Sequence, residues 1–417
     1  MNAQFGAVRG PRNLVFGAGQ RSALPTFAKA LGQRALIVTD ERMAREAIFT
    51  EMCGGIEAAG LAVSVFHGTL AELPAQCIAA GVEQGEDFAA DVVVGIGGGS
   101  CMDAAKIIAL LLAHGGEIAQ YYGEFKVPGP VLPLIALPST AGTGSEVTPV
   151  AVVSDKGRAV KVGIASPHLI PHTAICDPEL TYGCPPGLTA VSGADALTHA
   201  IEAFTTAPRA PTGSTIHEHV FVGKNRLSDI YALEAVRLIG RSLAQAVREG
   251  SDKAARHDMM MGATLAGLAF GTAGTAAAHA VQYPVGALTN TPHGLGVAAM
   301  MPYVMEFNLP MATPAMAELA LALNLSVEGM TEAQRASAAV EGVAALFAEI
   351  GIPSSIKALG MTEDKLDWTA EQALAATRLV KNNPRMLDQR SMAQLVEAAY
   401  RGDRAMLRHS LSEQKAL

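Results

Sequence analysis

Four side chains in the second half of the sequence have the types and spacing of a metal site. In Gly193-Ala-Asp195-Ala-Leu-Thr-His199-Ala-Ile-Glu202, Asp195 and His199 stand at i and i+4, so a helix projects both from one small, apolar face. His279 lies near the end of a small-residue helical run, and His293 follows in the Pro292-His293-Gly294 turn. One carboxylate with three imidazoles suits zinc, iron(II) or their neighbours rather than calcium or magnesium. Singly, each histidine is more often a core or loop residue; jointly, on apolar segments, they argue for a shared ion. His217-Glu218-His219 lacks the spacing of His-Glu-x-x-His. His67, His114, His168, His172, His257 and His409 have no partner pattern, and all eight of these histidines read as structural or solvated.

A second chemistry sits upstream, in Val92-Val-Val-Gly-Ile-Gly97-Gly98-Gly99-Ser100-Cys-Met-Asp103-Ala-Ala-Lys106. A buried strand runs into three glycines, then Ser100 as an expected N-cap, then a helix with Asp103 in its first turn. Without Cβ atoms in the way, the amides of a helix N-terminus can touch an anion, so the turn reads as a phosphate cradle. The alternative is a tight strand-to-helix turn without a ligand. The Gly-x-x-x-x-Gly-Lys-Ser/Thr pattern of nucleotide hydrolases is absent, and Gly17-Ala18-Gly19 does not complete Gly-x-Gly-x-x-Gly. Pro138-Ser-Thr140-Ala-Gly142-Thr143-Gly144-Ser-Glu146 is a second candidate cradle of hydroxyls and glycines. Asp40, at a strand end, can accept from a ribose hydroxyl and repel a 2′-phosphate.

The elements that must position these residues divide the chain in two. Ala35–Thr39, Ala62–Phe66, Asp91–Gly95, Leu132–Leu137, Val150–Val153 and Thr173–Cys176 read as strands, several of them apolar on consecutive residues as in a sheet covered on both faces. Helical stretches between the first of them supply parallel crossovers. After Pro185-Pro186-Gly187 only helical spacing is found: Ser192–Phe204, Asp229–Glu249, Arg256–Val281, Thr331–Ile350 and Ser391–Leu407. This predicts an α/β domain over 1–185 and an all-helical one over 186–417, with Thr206–Gly223 as a surface excursion.

Composition narrows the function classes. A net charge of −8 argues against nucleic acid or an anionic membrane as partner. Half of the 417 residues are hydrophobic, enough for more than one core. Five cysteines without a Cys-x-x-Cys pair point to a reducing compartment, and Met1–Gly17 has no signal-peptide pattern, so a cytoplasmic protein is expected. Thr264–Val281 is long enough to span a bilayer, but its Ala, Gly and Thr content with His279 reads as a buried helix.

With Gly97-Gly-Gly-Ser100-x-x-Asp103-x-x-Lys106, Pro138-x-Thr140-Ala-Gly-Thr143-Gly-Ser-Glu146-Val-Thr148, Asp177-Pro-Glu-Leu180-Thr181, the Asp195/His199 helix and His279 with Pro292-His293-Gly294, nearly the whole chain resembles the iron-containing (group III) alcohol dehydrogenase family. The resemblance implies a Rossmann-like NAD(P)-binding domain followed by an all-α domain, the dehydroquinate synthase-like architecture, and a homodimer. It implies Asp195, His199, His279 and His293 as ligands to Fe²⁺, with Zn²⁺ as the alternative. It places Gly98, Gly99 and Ser100 at the pyrophosphate and Thr140, Thr143 and Thr148 along the dinucleotide. Lys161 and Leu180 fall near its ribose or nicotinamide side, and Asp40 near the adenosine ribose, which favours NAD over NADP. Three departures stand out: Tyr283-Pro284-Val285-Gly286 where many members have His-Pro-x-Gly, Thr272 where they often have Asn, and Glu72-Leu73-Pro74 in place of a Pro-Asn-Pro-like turn.

The expected reaction is reversible hydride transfer between NAD(H) and an alcohol/aldehyde or ketone pair, with the metal as Lewis acid. Tyr283 is the candidate proton relay. The rival readings are a maleylacetate reductase, a hydroxyacid–oxoacid transhydrogenase, a metallohydrolase with a nucleotide-binding domain, and a non-catalytic NAD-binding protein.

Overall fold

The computed structural model describes residues 5–155, 157 and 161–408; His409 lies outside them. In the N-terminal domain the strands are β1 (Asn13–Phe16), β2 (Arg34–Val38), β3 (Ala62–Phe66), β4 (Val92–Gly97), β5 (Gly123–Glu124), β6 (Leu134–Pro138), β7 (Val150–Val153), β8 (Val162–Ala165) and β9 (Thr173–Cys176). Six form one sheet in the order β1-β9-β6-β4-β2-β3, and every neighbouring pair in it is parallel. Helices α1 (Leu24–Leu31), α2 (Ala47–Ala58), α3 (Ala75–Phe88) and α4 (Gly99–His114) supply the crossovers. β4 is buried at every residue, which is why Val-Val-Val-Gly-Ile-Gly shows no polar alternation.

From β2 the chain moves outward to β3 and then returns to β4 on the other side of β2. The crevice beyond the carboxyl ends of strands at such a reversal is where open α/β sheets take their ligands. Asp40 follows β2, Gly98 follows β4 and Ser139 follows β6, so all the candidate cradle residues end up at one edge.

Val150–Val153 forms a strand as expected, but it lies outside the parallel sheet. As β7 it pairs antiparallel with β8 in a three-stranded sheet completed by β5. β1, β5 and β8 were not expected; β5 has two residues and β1 and β8 four each, β1 is only partly buried and β8 contains a glycine, so none offers a long apolar run.

From Pro186 onward the described residues are helical: α5 (Pro186–Thr205), α6 (Arg226–Arg248), α7 (Lys253–Ala273), α8 (Ala277–Thr289), α9 (His293–Ala322), α10 (Glu332–Glu349), α11 (Leu366–Ala375), α12 (Thr377–Asn382) and α13 (Gln389–Arg401), besides short single turns. Pro186 occupies the first helical position of α5, where its missing N–H would have no partner anyway. The stretch Arg256–Val281, expected as one helix, is broken. Gly274 closes α7 in a positive-φ conformation (φ 86°) and α8 restarts at Ala277. His279 therefore stands in the first turn of a new helix rather than near the end of an old one. His293, expected in a turn, is the first residue of α9, which is entered from Pro292 and kinks at Ala312.

The two halves meet backbone to backbone. A Cβ on Gly144 would come within 2.5 Å of the Gly267 Cα on α7, and Gly144 also has φ +62°, so glycine is required there on both counts. The Thr206–Gly223 segment is only partly a surface excursion. Val220, Phe221 and Val222 are buried, and the Arg9 guanidinium holds the loop by donating to the carbonyls of Ile216, His219 and Val220.

Candidate active site

One cavity of about 640 Å³ runs along the domain junction, from Asp40 and Gly98 on the sheet side to His279, His293 and Arg378 on the helical side. Of the residues singled out from the sequence, Asp40, Gly98, Gly99, Ser100, Thr140, Thr143, Thr148, Lys161, Asp195, His199, His279, Tyr283 and His293 line it. Leu180 is placed elsewhere: it is buried in the apolar layer with Leu137 and Ile96 and is not part of the cavity wall.

On the helical side α5 delivers Asp195 and His199, α8 delivers His279 and α9 delivers His293. One ligand atom each from Asp195, His199 and His279 lie within 4.8 Å of one another. Asp195 Oδ1 is 3.7 Å from His199 Nε2, 3.8 Å from His279 Nε2 and 4.0 Å from His293 Nε2, so His293 stands at the rim of the group. Buried polar atoms are normally paired. Here Asp195 Oδ1 and His279 Nε2 are buried without a hydrogen-bond partner, and they face each other. That is the arrangement expected of groups shaped around a cation, and the donor set fits Fe²⁺ or Zn²⁺.

The surroundings prepare these atoms. Burial pushes the Asp195 carboxyl up to about 6, with His279 pulling it back and the Glu202 charge adding to the rise. Burial also holds His199 well below its usual value, so the imidazole is neutral and keeps a lone pair. His199 is stacked between Phe270 (4.2 Å) and His279 (4.7 Å). His279 is fixed by Glu202, one helical turn beyond His199. The Glu202 carboxylate accepts from His279 Nδ1 at 2.6 Å and from the amides of Ala276 and Ala278 at 3.0 and 2.7 Å. A proton on Nδ1 leaves Nε2 free to ligate, the usual division of labour between a carboxylate and a metal-binding histidine. From the other side Asn382 donates to the carbonyls of Ala273 and Thr275, so the Gly274 break is clamped at both its amides and its carbonyls. Neither Glu202 nor Asn382 was singled out from the sequence. Glu202 lies in the quoted motif, and its three-residue spacing from His199 was the available signal; nothing local marks Asn382.

On the sheet side the expected N-cap Ser100 is already the second residue of α4, and Gly98 caps the helix in an extended conformation. The reason is the sharpness of the turn: Gly97 (φ +149°) approaches Cys101 so closely that a Cβ would lie 2.6 Å from its Sγ. The helix therefore starts two residues earlier, and its leading N–H groups, which have no intrahelical partner, open on the cavity. Asp40 spends one oxygen as the N-cap of the turn that follows β2, accepting from Met43 N at 2.7 Å. Ser139, from the second candidate cradle, and Thr69, which no sequence pattern marks, also line the cavity, each with a buried hydroxyl that lacks a partner. Lys161 pairs with Glu72, whose loop holds Glu72 and Leu73 at positive φ (62° and 43°), uncommon for such residues.

Behind the cradle lies a second buried charged cluster. Lys106, fully buried, donates to Thr148 O (2.9 Å), Thr148 Oγ1 (3.2 Å) and Val150 O (2.8 Å). Asp103 accepts from Ser145 Oγ and Val152 N, and Glu146 from Thr264 Oγ1 across the domain junction. Burial drives Lys106 down to about 8 and Asp103 and Glu146 upward, each opposed by the charge of the other sign. Every named atom has a partner, so this cluster ties β7 to α4.

Two family models match the chain: iron-containing alcohol dehydrogenase over residues 11–178 and the C-terminal part of the Fe-containing alcohol dehydrogenase family over 189–400. The long-chain-alcohol dehydrogenase 1 of Geobacillus thermodenitrificans is 35% identical, the match covering 93% of this chain and 94% of that one. The NAD-dependent methanol dehydrogenase of Bacillus methanolicus is 34% identical over 93% and 98%. Among solved structures, a 1,3-propanediol oxidoreductase superposes with a TM-score of 0.89 at 31% identity, covering 95% of this chain and 100% of that one.

Proposed function

The chain belongs to the iron-containing alcohol dehydrogenase family and shares its reaction class, reversible hydride transfer between a nicotinamide dinucleotide and an alcohol/aldehyde or ketone pair; we propose that it does this with Asp195, His199, His279 and His293 around one divalent metal and the dinucleotide laid along Gly98–Ser100 and Thr140–Thr148. The observation that carries the reading is the pair of buried, unpartnered atoms, Asp195 Oδ1 and His279 Nε2, on the wall of the cavity that begins at the glycine turn.

When bound, the metal supplies Lewis acidity and the dinucleotide the hydride acceptor or donor. The chain's own residues do the rest. Glu202 fixes the His279 tautomer, Phe270 holds the His199 ring, and Gly98–Ser100 present amides to the pyrophosphate. Tyr283, with its ring 6.3 Å from that of His293, is the proposed proton relay. Burial pushes its hydroxyl above the usual phenol value, so it works as a hydroxyl that hands a proton on rather than as a phenolate. If Tyr283→Phe leaves the pH–rate profile unchanged, that role is wrong. Lys161 is assigned to the ribose or nicotinamide side of the dinucleotide. Leu180, which is outside the cavity wall, is proposed only as support for the layer beneath it.

Asp40 supports NAD as the cofactor, whereas Arg42, which also lines the cavity, is the feature that would suit NADP. Iron is proposed from the family and zinc is the alternative that the donor set accepts. Five free cysteines support a cytoplasmic location, and no helix among the described residues is long and apolar enough to cross a membrane. A dimer is proposed; β1 ends the six-stranded sheet with Leu14 exposed, an edge available to a second copy. The domain boundary is proposed at Pro185-Pro186, between β9 and α5.

The test is absorbance at the nicotinamide band, with a panel of alcohols, aldehydes and oxo acids, after reconstitution with Fe²⁺ or Zn²⁺. Metal-dependent NADH formation is expected. Turnover only when a hydroxy acid and an oxo acid are supplied together would indicate the transhydrogenase, and reduction of maleylacetate alone the maleylacetate reductase. No NAD(H)-dependent turnover of any substrate would sink the proposal and favour a hydrolase or a binding protein.

A further inference from the structure

Three basic side chains besides histidine line the cavity: Arg42, Lys161 and Arg378. Arg42 lies 3.5 Å from Glu46, and Lys161 is bonded to Glu72. Arg378 differs. Its one carboxylate neighbour among the described residues, Glu124, stands 3.9 Å from Nε, beyond hydrogen-bond reach. Glu124 is also drawn elsewhere: it accepts from Val220 N at 3.2 Å and its charge acts on Arg9. One carboxylate thus faces two guanidiniums, and the positive charge on the cavity wall is only partly matched.

The position of this charge is fixed by the same device that fixes His279. Arg378 and Asn382 stand at i and i+4 on α12, and Asn382 is the residue that clamps the Gly274 break. The guanidinium carbon lies over the Phe221 ring, 4.4 Å from its centroid, a contact that holds it without a hydrogen bond from its N–H groups. Beside it on the wall are Phe221, Thr275 and Tyr283, all from the helical half. Its field reaches the Tyr283 hydroxyl, where it opposes the upward push of burial. The dinucleotide cradles are built from segments of the sheet-bearing half and Arg378 comes from the helical half, so this cation belongs to neither cradle.

We propose that Arg378 is an anion-recognition subsite at the substrate end of the cavity, and that the preferred substrate is an alcohol or aldehyde carrying a terminal oxyanion, carboxylate or sulfonate, on its carbon chain. A planar guanidinium whose N–H groups make no hydrogen bond among the described residues can pair with such an oxyanion through two parallel hydrogen bonds, and the Phe221 contact does not consume them. The inference rests on the dehydrogenase reading of the preceding subsection and adds to it the class of substrate.

The experiment compares matched aldehydes in NADH oxidation by the metal-reconstituted enzyme: 4-oxobutanoate against the neutral pentanal, with a short sulfonate-bearing aldehyde as a third arm to tell the two oxyanions apart. The wild type is expected to show a higher kcat/KM for a charged aldehyde. In Arg378→Ala the ratio of charged to neutral kcat/KM is expected to fall about ten- to a hundredfold, chiefly through KM, with the KM for the dinucleotide unmoved. Arg378→Lys, which keeps the charge but loses the two-pronged geometry, should fall between. On the wild type alone, butanoate should inhibit pentanal reduction competitively, a readout that does not depend on a variant folding.

Three results would overturn the inference: equal or lower activity of the wild type on both charged aldehydes, a proportionate loss on charged and neutral substrates in Arg378→Ala, or a change confined to the dinucleotide KM. Turnover of pentanal without any preference for charge defeats this inference alone. Absence of turnover with every aldehyde defeats the dehydrogenase reading and this inference with it.

Discussion

Two buried charged clusters flank the same cavity, and they are built in opposite ways. In the Asp103–Lys106–Glu146 cluster each donor and acceptor named above is bonded within the chain. In the Asp195–His199–His279 cluster Asp195 Oδ1 and His279 Nε2 have no partner. A buried polar group left unpaired costs free energy, so a fold retains such a set only where something else completes it. The first cluster holds the architecture; the second is shaped for a ligand. The pKa directions alone would not separate them, since burial moves carboxyl groups upward in both.

Substitutions on the two sides should therefore have opposite signatures. The largest effect is expected from Asp195→Ala: bound metal lost and NAD-linked turnover reduced by more than about 10³-fold. The metal-free variant should nevertheless unfold in urea within about 1 kcal/mol of the metal-free wild type, because a carboxylate without partners has been removed. Elemental analysis and urea titration together check it, and a marked loss of metal-free stability would erase the distinction between the clusters. Lys106→Met should do the reverse, lowering stability by about 3–5 kcal/mol by stranding Asp103 and Glu146 in the interior. The folded fraction should still bind one metal per chain.

The same lysine gives the comparison a pH signature. Its native pKa is about 8, below the usual 10.5. Below pH 8 it is protonated in both states, and the cost of charging it in the interior is felt in full. Between the two values the unfolded chain holds a proton that the native one lacks, so this group makes stability rise with pH. The slope is at most about 1.4 kcal/mol per pH unit, about 3 kcal/mol over the window. Urea unfolding from pH 8 to 10 should show the rise in the wild type and its absence in Lys106→Met. The smallest effect is expected from Glu202→Gln. Any orientation of the new amide sets an NH₂ against a donor, either at the Ala278 amide or at the Ala276 amide and His279 Nδ1. Metal affinity should drop about 10- to 100-fold, with folding preserved. Competition with a chromogenic chelator measures it, and unchanged affinity would remove Glu202 from the account.

The two sides also differed in how far the sequence revealed them. The Asp195/His199 pair and the Gly97–Gly99 turn were legible because each is local: an i,i+4 spacing in one case, a strand running into glycines in the other. Their convergence with His279 and His293 was anticipated from residue type and resemblance, but the helical context was not. His279 opens α8 because Gly274 breaks a run that looks continuous in composition, and His293 opens α9 where Pro and Gly read as a turn. Ser100 lost the cap to Gly98 because the approach of Gly97 to Cys101 pulls the helix start forward. β7 was legible as a strand, but the separate three-stranded sheet it joins was not, since its apolar pattern does not encode its partner. Thr69, Asn382 and Arg378 were invisible for a single reason. Each acts through contacts made by distant segments, and no short pattern in the chain records them.

In the proposed site Asp195, His199, His279 and His293 hold one metal on which NAD-linked turnover depends. The most direct test is a titration of metal-free protein with Fe²⁺ under anaerobic conditions, or with Zn²⁺, following bound metal and alcohol-dependent NADH formation in the same samples. Saturation is expected at one metal per chain, with NADH formation rising in proportion, and neither in His279→Ala. Full turnover in the metal-free protein, or stoichiometric metal binding that persists in His279→Ala, would contradict this assignment.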